Sequence, residues 1–376
     1  MAVQTKLYQR VYGAIMGFAV GDAFGVPFEE MHHRNILKQY GGIVREMLPV
    51  KPRLLGGERP YEQSNLAGTK AIMEKSRVAD PFGSHSIEAG SYSDDTRYTL
   101  LCAKAIIYYG RRITSQEFAL YLHDYVMRLS RERSADDLEF KWAQAMFSFD
   151  VITEIAKGSH VFSGLYEICT GWDGVAGIIN PFDSRQAALD GGPMAAGVAE
   201  AMKSGATVDS VVGAVRDAYW SLPGSYCNAG VDFLQNSFVR RMDAALDQAA
   251  KTMDPENVIN YLYKKSLITF PPYNFVFPLE MIPAACAILK ACRGDYLETV
   301  AFCASFGRDC DGTAAMGGQL AATLCGAGVI PEDFINKVNK VSIEDIQEIC
   351  SSLYKVIIKQ LDAILDRVNE YRVLTK

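Results

Sequence analysis

Two acidic clusters, far apart in the chain, hold the residues best suited to chemistry. In the first, residues 93–96, Asp94 and Asp95 stand between two hydroxyl side chains. In the second, Asp309 and Asp311 flank a cysteine. Because hard divalent cations prefer oxygen ligands, four carboxylates that met in the fold could bind Mg²⁺ or Mn²⁺. Without a cation, their repulsion and desolvation would cost several kcal/mol.

Both clusters are predicted to lie at the start of a helix. Ser93 is a typical N-cap residue, and apolar residues recur after it at helical spacing. Asp94 and Asp95 would then lie in the first turn, where the helix macrodipole favours negative charge. The late cluster precedes a run of small residues, 312–325, that suits close helix packing. An acidic first turn is common in ordinary helices, so the pattern alone leaves a purely structural interpretation open.

A glycine-rich helix is predicted at the start of the chain, from residue 6 to about residue 24. Its glycines recur at every fourth position, and each weakens a helix by about 1 kcal/mol relative to alanine. Close approach of another backbone is the simplest reason for such a pattern, and we favour it for Gly13 and Gly17. Gly21 with Asp22, and the turn at residues 25–27, look more like a helix end that opens onto a site, with Glu29 just beyond.

The rest of the sequence predicts one all-α domain that spans residues 1–376. Helical periodicity and N-cap signals recur along the chain, whereas β-branched runs and period-two alternation are sparse. Prolines and glycines interrupt residues 31–92, and a long irregular segment of this kind could cover the acidic site. The sequence has no repeat, low-complexity tract or clear linker that would mark a second domain.

Composition and charge argue against several classes of protein. The 376 residues are 49% hydrophobic and 22% charged, as in ordinary globular proteins. A net charge of −6 without a dense Lys/Arg stripe argues against nucleic-acid binding. Nine scattered cysteines without a CxxC pair, and no signal peptide, predict a reduced, cytoplasmic protein. The apolar stretch at residues 12–27 contains Asp22 and is too short to span a bilayer, so we expect no membrane partner.

Other catalytic or metal-binding patterns are weaker than the carboxylates. The five histidines show no ligand spacing such as HExxH, which argues against zinc, and His32 and His33 are interpreted as a surface loop pair. Cys310 is a poor nucleophile candidate, because the aspartates on either side raise a thiol pKa. The sequence contains no GxSxG elbow, P-loop or dinucleotide-binding glycine motif.

Three motifs, in this order, resemble those of the ADP-ribosylglycohydrolase family, the DraG-like and ARH-like hydrolases. They are GAIMGFAVGDAFGVPFE at residues 13–29, SDDT at residues 93–96, and GRDCD at residues 307–311 followed by AAMGG at residues 314–318. The resemblance spans nearly the whole chain. It implies a compact all-α ADP-ribosylglycohydrolase-like fold, a centre of two Mg²⁺ (or Mn²⁺) ions, and hydrolysis of the bond between ribose C1 and an acceptor atom.

The same resemblance implies roles for individual residues. The metal ligands would be Ser93, Asp94, Asp95, Asp309 and Asp311. Glu29, Asp95 and Asp309 would be catalytic, and Glu29 would also contact the ribose at the edge of the site. Arg97 and Arg308 stand where the family more often has other residues, and they are candidates for substrate contacts. We expect the cations to hold the ribose hydroxyls while a carboxylate activates a water against C1.

Departures from the family pattern leave the substrate open. Gly312 follows the second aspartate of the late motif, where the family usually has threonine. Since Thr313 comes one position later, one ligand is either missing or shifted. Residues 171–177 replace a turn that cradles the diphosphate, and Asp173 would repel a phosphate. The expected partner is a small ribosyl or ADP-ribosyl compound, or an ADP-ribosylated protein. A nucleoside-like substrate and a non-catalytic, crystallin-like relative are the alternatives.

Overall fold

The structure is a computed structural model that describes residues 5–29, 31–50, 88–113, 115–134, 186–218, 229–265 and 278–375. Within these ranges the chain folds into α-helices and two short 3-10 helices, Val26–Phe28 and Ala327–Val329, which confirms the predicted all-α fold. The α-helices are α1 (Lys6–Gly25), α2 (His33–Tyr40), α3 (Asp94–Tyr109), α4 (Ser115–Glu132), α5 (Gln186–Ala201), α6 (Val208–Ala218), α7 (Ala229–Thr252), α8 (Pro255–Lys265), α9 (Pro278–Ala291), α10 (Tyr296–Phe306), α11 (Cys310–Cys325), α12 (Glu332–Val341) and α13 (Ile346–Val373). That the chain forms one domain stays a prediction.

Local capping explains where several of these helices begin. The Ser93 hydroxyl accepts a hydrogen bond from the Asp95 N–H at 3.3 Å, so Ser93 is the N-cap of α3 as predicted. Asp295 caps α10 in the same way, through the N–H of Glu298 at 2.9 Å. The prediction that residues 31–92 are irregular is wrong for α2, whose short span offers little periodicity to detect. Residues 51–87 lie outside the described part of the chain.

Helices α1 and α11 pack against each other along their lengths and form the centre of the fold. A Cβ atom at Gly17 would lie 2.8 Å from the carbonyl oxygen of Gly318, too close for any side chain. One at Gly25 would lie 2.6 Å from the backbone nitrogen of Asp311. The backbone approach that we favoured for Gly13 and Gly17 therefore extends to Gly21 and Gly25. It places the end of α1 against the first turn of α11.

Helix α1 is also the most apolar long helix in the described part of the structure. Together with the short 3-10 helix it spans Lys6–Phe28, which is long and apolar enough to cross a membrane by length and composition alone. This segment is longer than the stretch at residues 12–27 on which the sequence prediction was made. Because 89% of its most apolar window is buried inside the protein, the helix has the environment of a core helix.

We expect Gly21→Ala to destabilise the fold by about 1–3 kcal/mol, because the added methyl group meets backbone rather than a movable side chain. Its Cβ would lie 2.7 Å from the carbonyl carbon of Ala314 and 2.8 Å from the Cα of Ala315. Gly213→Ala is the matched control, since no atom lies within 4 Å of a Cβ at this helical position. It should stabilise α6 by up to about 1 kcal/mol. Urea unfolding measures both changes, and equal effects would contradict the backbone contact.

Candidate metal centre

Three carboxylates from the two acidic clusters meet between the first turns of α3 and α11. One oxygen from each of Asp95, Asp309 and Asp311 lies within 4.8 Å of the other two. Asp95 is in the first turn of α3, Asp309 is the N-cap residue of α11, and Asp311 is in its first turn. The structure thus brings together one carboxylate of the early cluster and two of the late cluster.

The electrostatics of this group are unfavourable without a counter-charge. Asp311 is only 5% exposed, and its Oδ1 atom has no hydrogen-bond partner in the described structure. Burial, followed by the negative charges of Asp311, Asp95 and Glu29, raises the pKa of Asp309 well above its ordinary value. Three close carboxylates with an unpaired buried oxygen fit an oxygen-ligated divalent cation.

Asp22, on α1, forms hydrogen bonds with residues of the early cluster. Its fully buried carboxylate accepts hydrogen bonds from the Ser93 N–H at 2.9 Å and the Thr96 N–H at 3.0 Å. The Thr96 hydroxyl also donates to it, at 2.5 Å. Burial and the charge of Asp311 raise the pKa of Asp22 to about 7, although these donors oppose the shift. Asp22 therefore fixes the start of α3 to α1, and its charge reaches the three-carboxylate group.

The other predicted ligands and the predicted rim residue have distinct positions. Ser93 is 1% exposed, and its hydroxyl caps α3. The backbone of Asp94 opens α3, but its side chain lies outside the described part of the structure. Glu29 caps the end of the 3-10 helix after α1, is half-buried, and is close enough for its charge to raise the Asp309 pKa. The ligand roles of Ser93 and Asp94 and the catalytic role of Glu29 stay predictions.

Arg308 contacts residues of two other helices. Its guanidinium forms a buried ion pair with Glu280 on α9, and its Cζ atom lies 4.5 Å from the centre of the Tyr263 ring. Arg308 has a φ of +62°, in the left-handed region, and its N–H donates to the Met31 carbonyl at 2.8 Å. These contacts hold the turn that carries Asp309. A substrate contact through Arg308 stays a prediction.

The same turn is held from a second side by a buried histidine. His33 is 2% exposed, and its Nδ1 atom is hydrogen-bonded to the Ser305 carbonyl. The Tyr263 hydroxyl accepts a hydrogen bond from the backbone N–H of His33 at 3.1 Å and donates one to the Phe306 carbonyl at 2.6 Å. Burial lowers the pKa of His33. The interpretation of His32 and His33 as a surface pair is therefore wrong for His33, whose ring braces the turn before Asp309.

Arg97 leaves α3 on a different side from Asp95. It lies two residues after Asp95 on α3, so the two side chains leave the helix in different directions. It lines a small cleft with Tyr92, Leu100, Leu101, Lys104, Tyr125, Ile343 and Glu344. Lys104 and Glu344 form an ion pair in this cleft, with Nζ and Oε1 2.5 Å apart. A substrate contact through Arg97 likewise stays a prediction.

Sequence reasoning did not assign roles to Asp22 and Glu280, which support the centre. Asp22 offered a usable signal, because it is the one carboxylate in the otherwise apolar stretch at residues 12–27. Glu280 offered none, since an acid three residues into a helix is ordinary first-turn chemistry. Residues 171–177, on which the diphosphate argument rests, lie outside the described ranges.

Comparison with known proteins places these observations in a family. The sequence profile described as ADP-ribosylglycohydrolase matches residues 3–160 and 184–362. No curated protein matches the chain. Among solved structures, an "ADP-ribosylglycohydrolase-related protein complex" is similar, with a TM-score of 0.42 and 16% identity over 93% of this chain and 98% of that one. Members of the matched family hydrolyse ADP-ribose-like substrates and are typically metal-dependent. Because the profile covers most of its residues, this chain belongs to the ADP-ribosylglycohydrolase family.

Proposed function

We propose that this protein is a divalent-cation-dependent glycohydrolase that releases ADP-ribose from a protein or small-molecule acceptor. The bond cleaved is the one between ribose C1 and the acceptor atom. The observation that carries the proposal is the meeting of Asp95, Asp309 and Asp311 within 4.8 Å, from opposite parts of the chain. Membership of the family supports the hydrolase class, and the acidic group supports the proposal that the reaction occurs there.

The proposed cofactor is a pair of Mg²⁺ or Mn²⁺ ions. Every donor in the three-carboxylate group is an oxygen, which suits these ions and argues against softer metals. When bound, the ions would hold vicinal ribose hydroxyls and lower the pKa of a bound water. Asp95, Asp309 and Asp311 are the proposed core of the ligand set, and Ser93 and Asp94 are proposed to complete it beside α3.

The residues of the chain would do three things in this reaction. Asp95 and Asp309 would orient the attacking water; one of them would accept its proton, which would then pass to the departing acceptor atom. Glu29, half-buried beside Asp309, would contact the ribose at the rim of the site. Carboxylate oxygens that face the ribose would stabilise the positive charge that develops on its ring in an oxocarbenium-like transition state. Asp22 would keep the start of α3 in place through its bonds to Ser93 and Thr96.

The alternatives make different use of the same centre. A nucleoside-like substrate would need the carboxylates but no diphosphate pocket. A non-catalytic relative would need neither, and would have no reason to keep an unpaired Asp311 oxygen buried beside two other carboxylates. This cost favours an enzyme. We predict no nucleic-acid or membrane partner and a cytoplasmic location.

The test is hydrolysis of a panel of substrates with and without cations. We expect EDTA to abolish release of ADP-ribose and Mg²⁺ or Mn²⁺ to restore it. Asp311→Asn should lower kcat/KM by about 10²–10³-fold, because it removes a charged ligand. The panel contains ADP-ribosyl-arginine, ADP-ribosyl-serine, an acetyl ester of ADP-ribose and a nucleoside. Undiminished turnover in EDTA would overturn the proposal, and turnover of the nucleoside alone would replace the substrate class.

A further inference from the structure

Gly312 lies where the three-carboxylate group could have received another ligand. It is in the first turn of α11, immediately after Asp311. A Cβ atom built on its backbone would lie 3.0 Å from Oδ2 of Asp95 and 3.2 Å from Oδ1 of Asp309. Any side chain at this position would therefore start in contact with two of the three carboxylates. Glycine supplies no donor atom in that direction.

The next residue does not replace the missing donor. The Thr313 hydroxyl is fully buried and donates to the backbone carbonyl of Asp309 at 2.7 Å, one helical turn earlier. This bond turns the hydroxyl toward the backbone of its own helix. The sequence left open whether this ligand is shifted to Thr313 or missing. The geometry supports a missing ligand.

The space in front of Gly312 is taken by an apolar group. The Cε methyl of Met281, on α9, would lie 2.6 Å from the Cβ of a residue at position 312. Met281 is 8% exposed. A thioether methyl group does not bind a hard cation, so this wall of the site contributes no ligand. On this side, the carboxylates therefore face the methyl group of Met281 and a glycine without a side chain.

We infer that Gly312 leaves one coordination position of the cation without a protein ligand, so that water or a substrate hydroxyl fills it. The inference rests on the proposed function, because it requires a cation at Asp95, Asp309 and Asp311. Residue 312 then determines how tightly the cation is held and how many waters it carries. The ligand is a hard divalent cation, and the second observation that points to it is the buried, unpaired Oδ1 of Asp311.

A serine at position 312 should be accommodated. Gly312 is in a helix without a positive φ, so a side chain is not strained by the backbone and improves helix propensity. The nearest obstacle is the far end of the flexible Met281 side chain, which can move aside. Gly312→Ser would place a hydroxyl beside the carboxylates, and Gly312→Ala would add the same Cβ without the oxygen. The two variants differ in one oxygen atom.

The experiment measures binding of Mn²⁺ alone to the wild type, Gly312→Ser, Gly312→Ala, Thr313→Val and Asp311→Asn, by calorimetry and water-proton relaxation. We expect Gly312→Ser to bind Mn²⁺ about ten-fold more tightly than Gly312→Ala, since affinity follows the number of oxygen ligands. Its bound Mn²⁺ should also relax water protons less, because one water has been replaced. Thr313→Val should bind Mn²⁺ like the wild type.

Equal affinity and equal relaxation for Gly312→Ser and Gly312→Ala would overturn the inference. So would a loss of affinity in Thr313→Val as large as that in Asp311→Asn, which would make Thr313 the ligand. If Thr313→Val does not fold, the comparison of Mn²⁺ binding by Gly312→Ser and Gly312→Ala is sufficient to test the inference. Failure of the proposed function has a different signature, in which the wild type and Asp311→Asn both show no Mn²⁺ binding.

Discussion

Replacing Asp309 with asparagine is expected to abolish hydrolysis and, at neutral pH, to make the metal-free protein more stable than the wild type. Asp309 is the proposed residue that both binds the cation and orients the water, so kcat/KM should fall by roughly 10³-fold or more. The gain in stability follows from the same geometry. An amide of the same shape has no negative charge to oppose Asp95 and Asp311.

The sign of the stability change follows from the raised pKa of Asp309. Because burial and its acidic neighbours raise this pKa in the folded protein, the folded state holds the proton more tightly than the unfolded state. The contribution of Asp309 to the stability of the metal-free wild type is therefore fully present below the ordinary aspartate pKa of about 3.9. This contribution is lost as the pH rises through the folded-state pKa. Asp309→Asn removes this contribution.

Thermal unfolding in EDTA, followed from about pH 4 to about pH 8, measures the effect. The melting temperatures of the wild type and Asp309→Asn should diverge as the pH rises, with the variant higher. Asp362→Asn is the control, because this aspartate lies on the exposed part of α13. It should follow the wild type at every pH. If Asp309→Asn is less stable than the wild type at neutral pH, favourable contacts of the Asp309 carboxylate outweigh its repulsion by the neighbouring carboxylates, and the prediction is wrong.

The helices that carry the site were predictable because their signals are local. The Ser93 N-cap fixes the start of α3, and the helix predicted from residue 6 to about residue 24 is observed at Lys6–Gly25. The four-residue spacing of the glycines in α1 indicated a close backbone neighbour without identifying it. That neighbour is α11, almost 300 residues later in the chain. The family resemblance, rather than any local pattern, supplied the pairing of the two acidic clusters.

The residues that hold the site in place were not predictable in the same way. Asp22 supports the site because the first residues of α3 come within hydrogen-bonding distance of it. Glu280 supports the site because it pairs with Arg308, whose backbone has a left-handed conformation. The contact between His33 and Ser305 joins α2 to the end of α10 across more than 270 residues. Each depends on the tertiary fold, which sequence spacing does not encode. The sequence indicated that a donor could be missing at Gly312. Only the backbone coordinates show that a side chain at this position would face Asp95 and Asp309.

Separating Arg308 from Glu280 is expected to be the most destabilising change near the site. Both side chains are 6% exposed, so Glu280→Gln or Arg308→Met removes the nearest counter-charge of a buried ion, at a cost of about 3–5 kcal/mol. The exposed pair Arg45 and Glu298 is the control. Its two hydrogen bonds, at 2.6 and 2.8 Å, join side chains that are 47% and 36% exposed. Glu298→Gln should cost no more than about 1 kcal/mol.

Urea unfolding of the two single variants and the double variant gives the coupling energy of the buried pair. We expect the double variant to be more stable than the sum of the single losses predicts, by about 1–3 kcal/mol, because it removes both buried charges together. Additive losses would mean that each residue acts through other contacts. A coupling energy near zero for Arg45 and Glu298 would show that burial, rather than hydrogen-bond geometry, gives the site pair its strength.

Mn²⁺ affinity then distinguishes positioning from simple electrostatics. If the pair acted only through its charges, Glu280→Gln would leave a positive charge near the carboxylates and weaken Mn²⁺ binding, whereas Arg308→Met would leave a negative charge and strengthen it. If the pair holds the turn that carries Asp309, both variants should weaken binding, since Arg308 directly precedes that residue. We expect both to weaken it. Arg308 anchors the turn through its φ of +62°, its bond to Met31 and its contact with Tyr263, and its charge is already neutralised by Glu280.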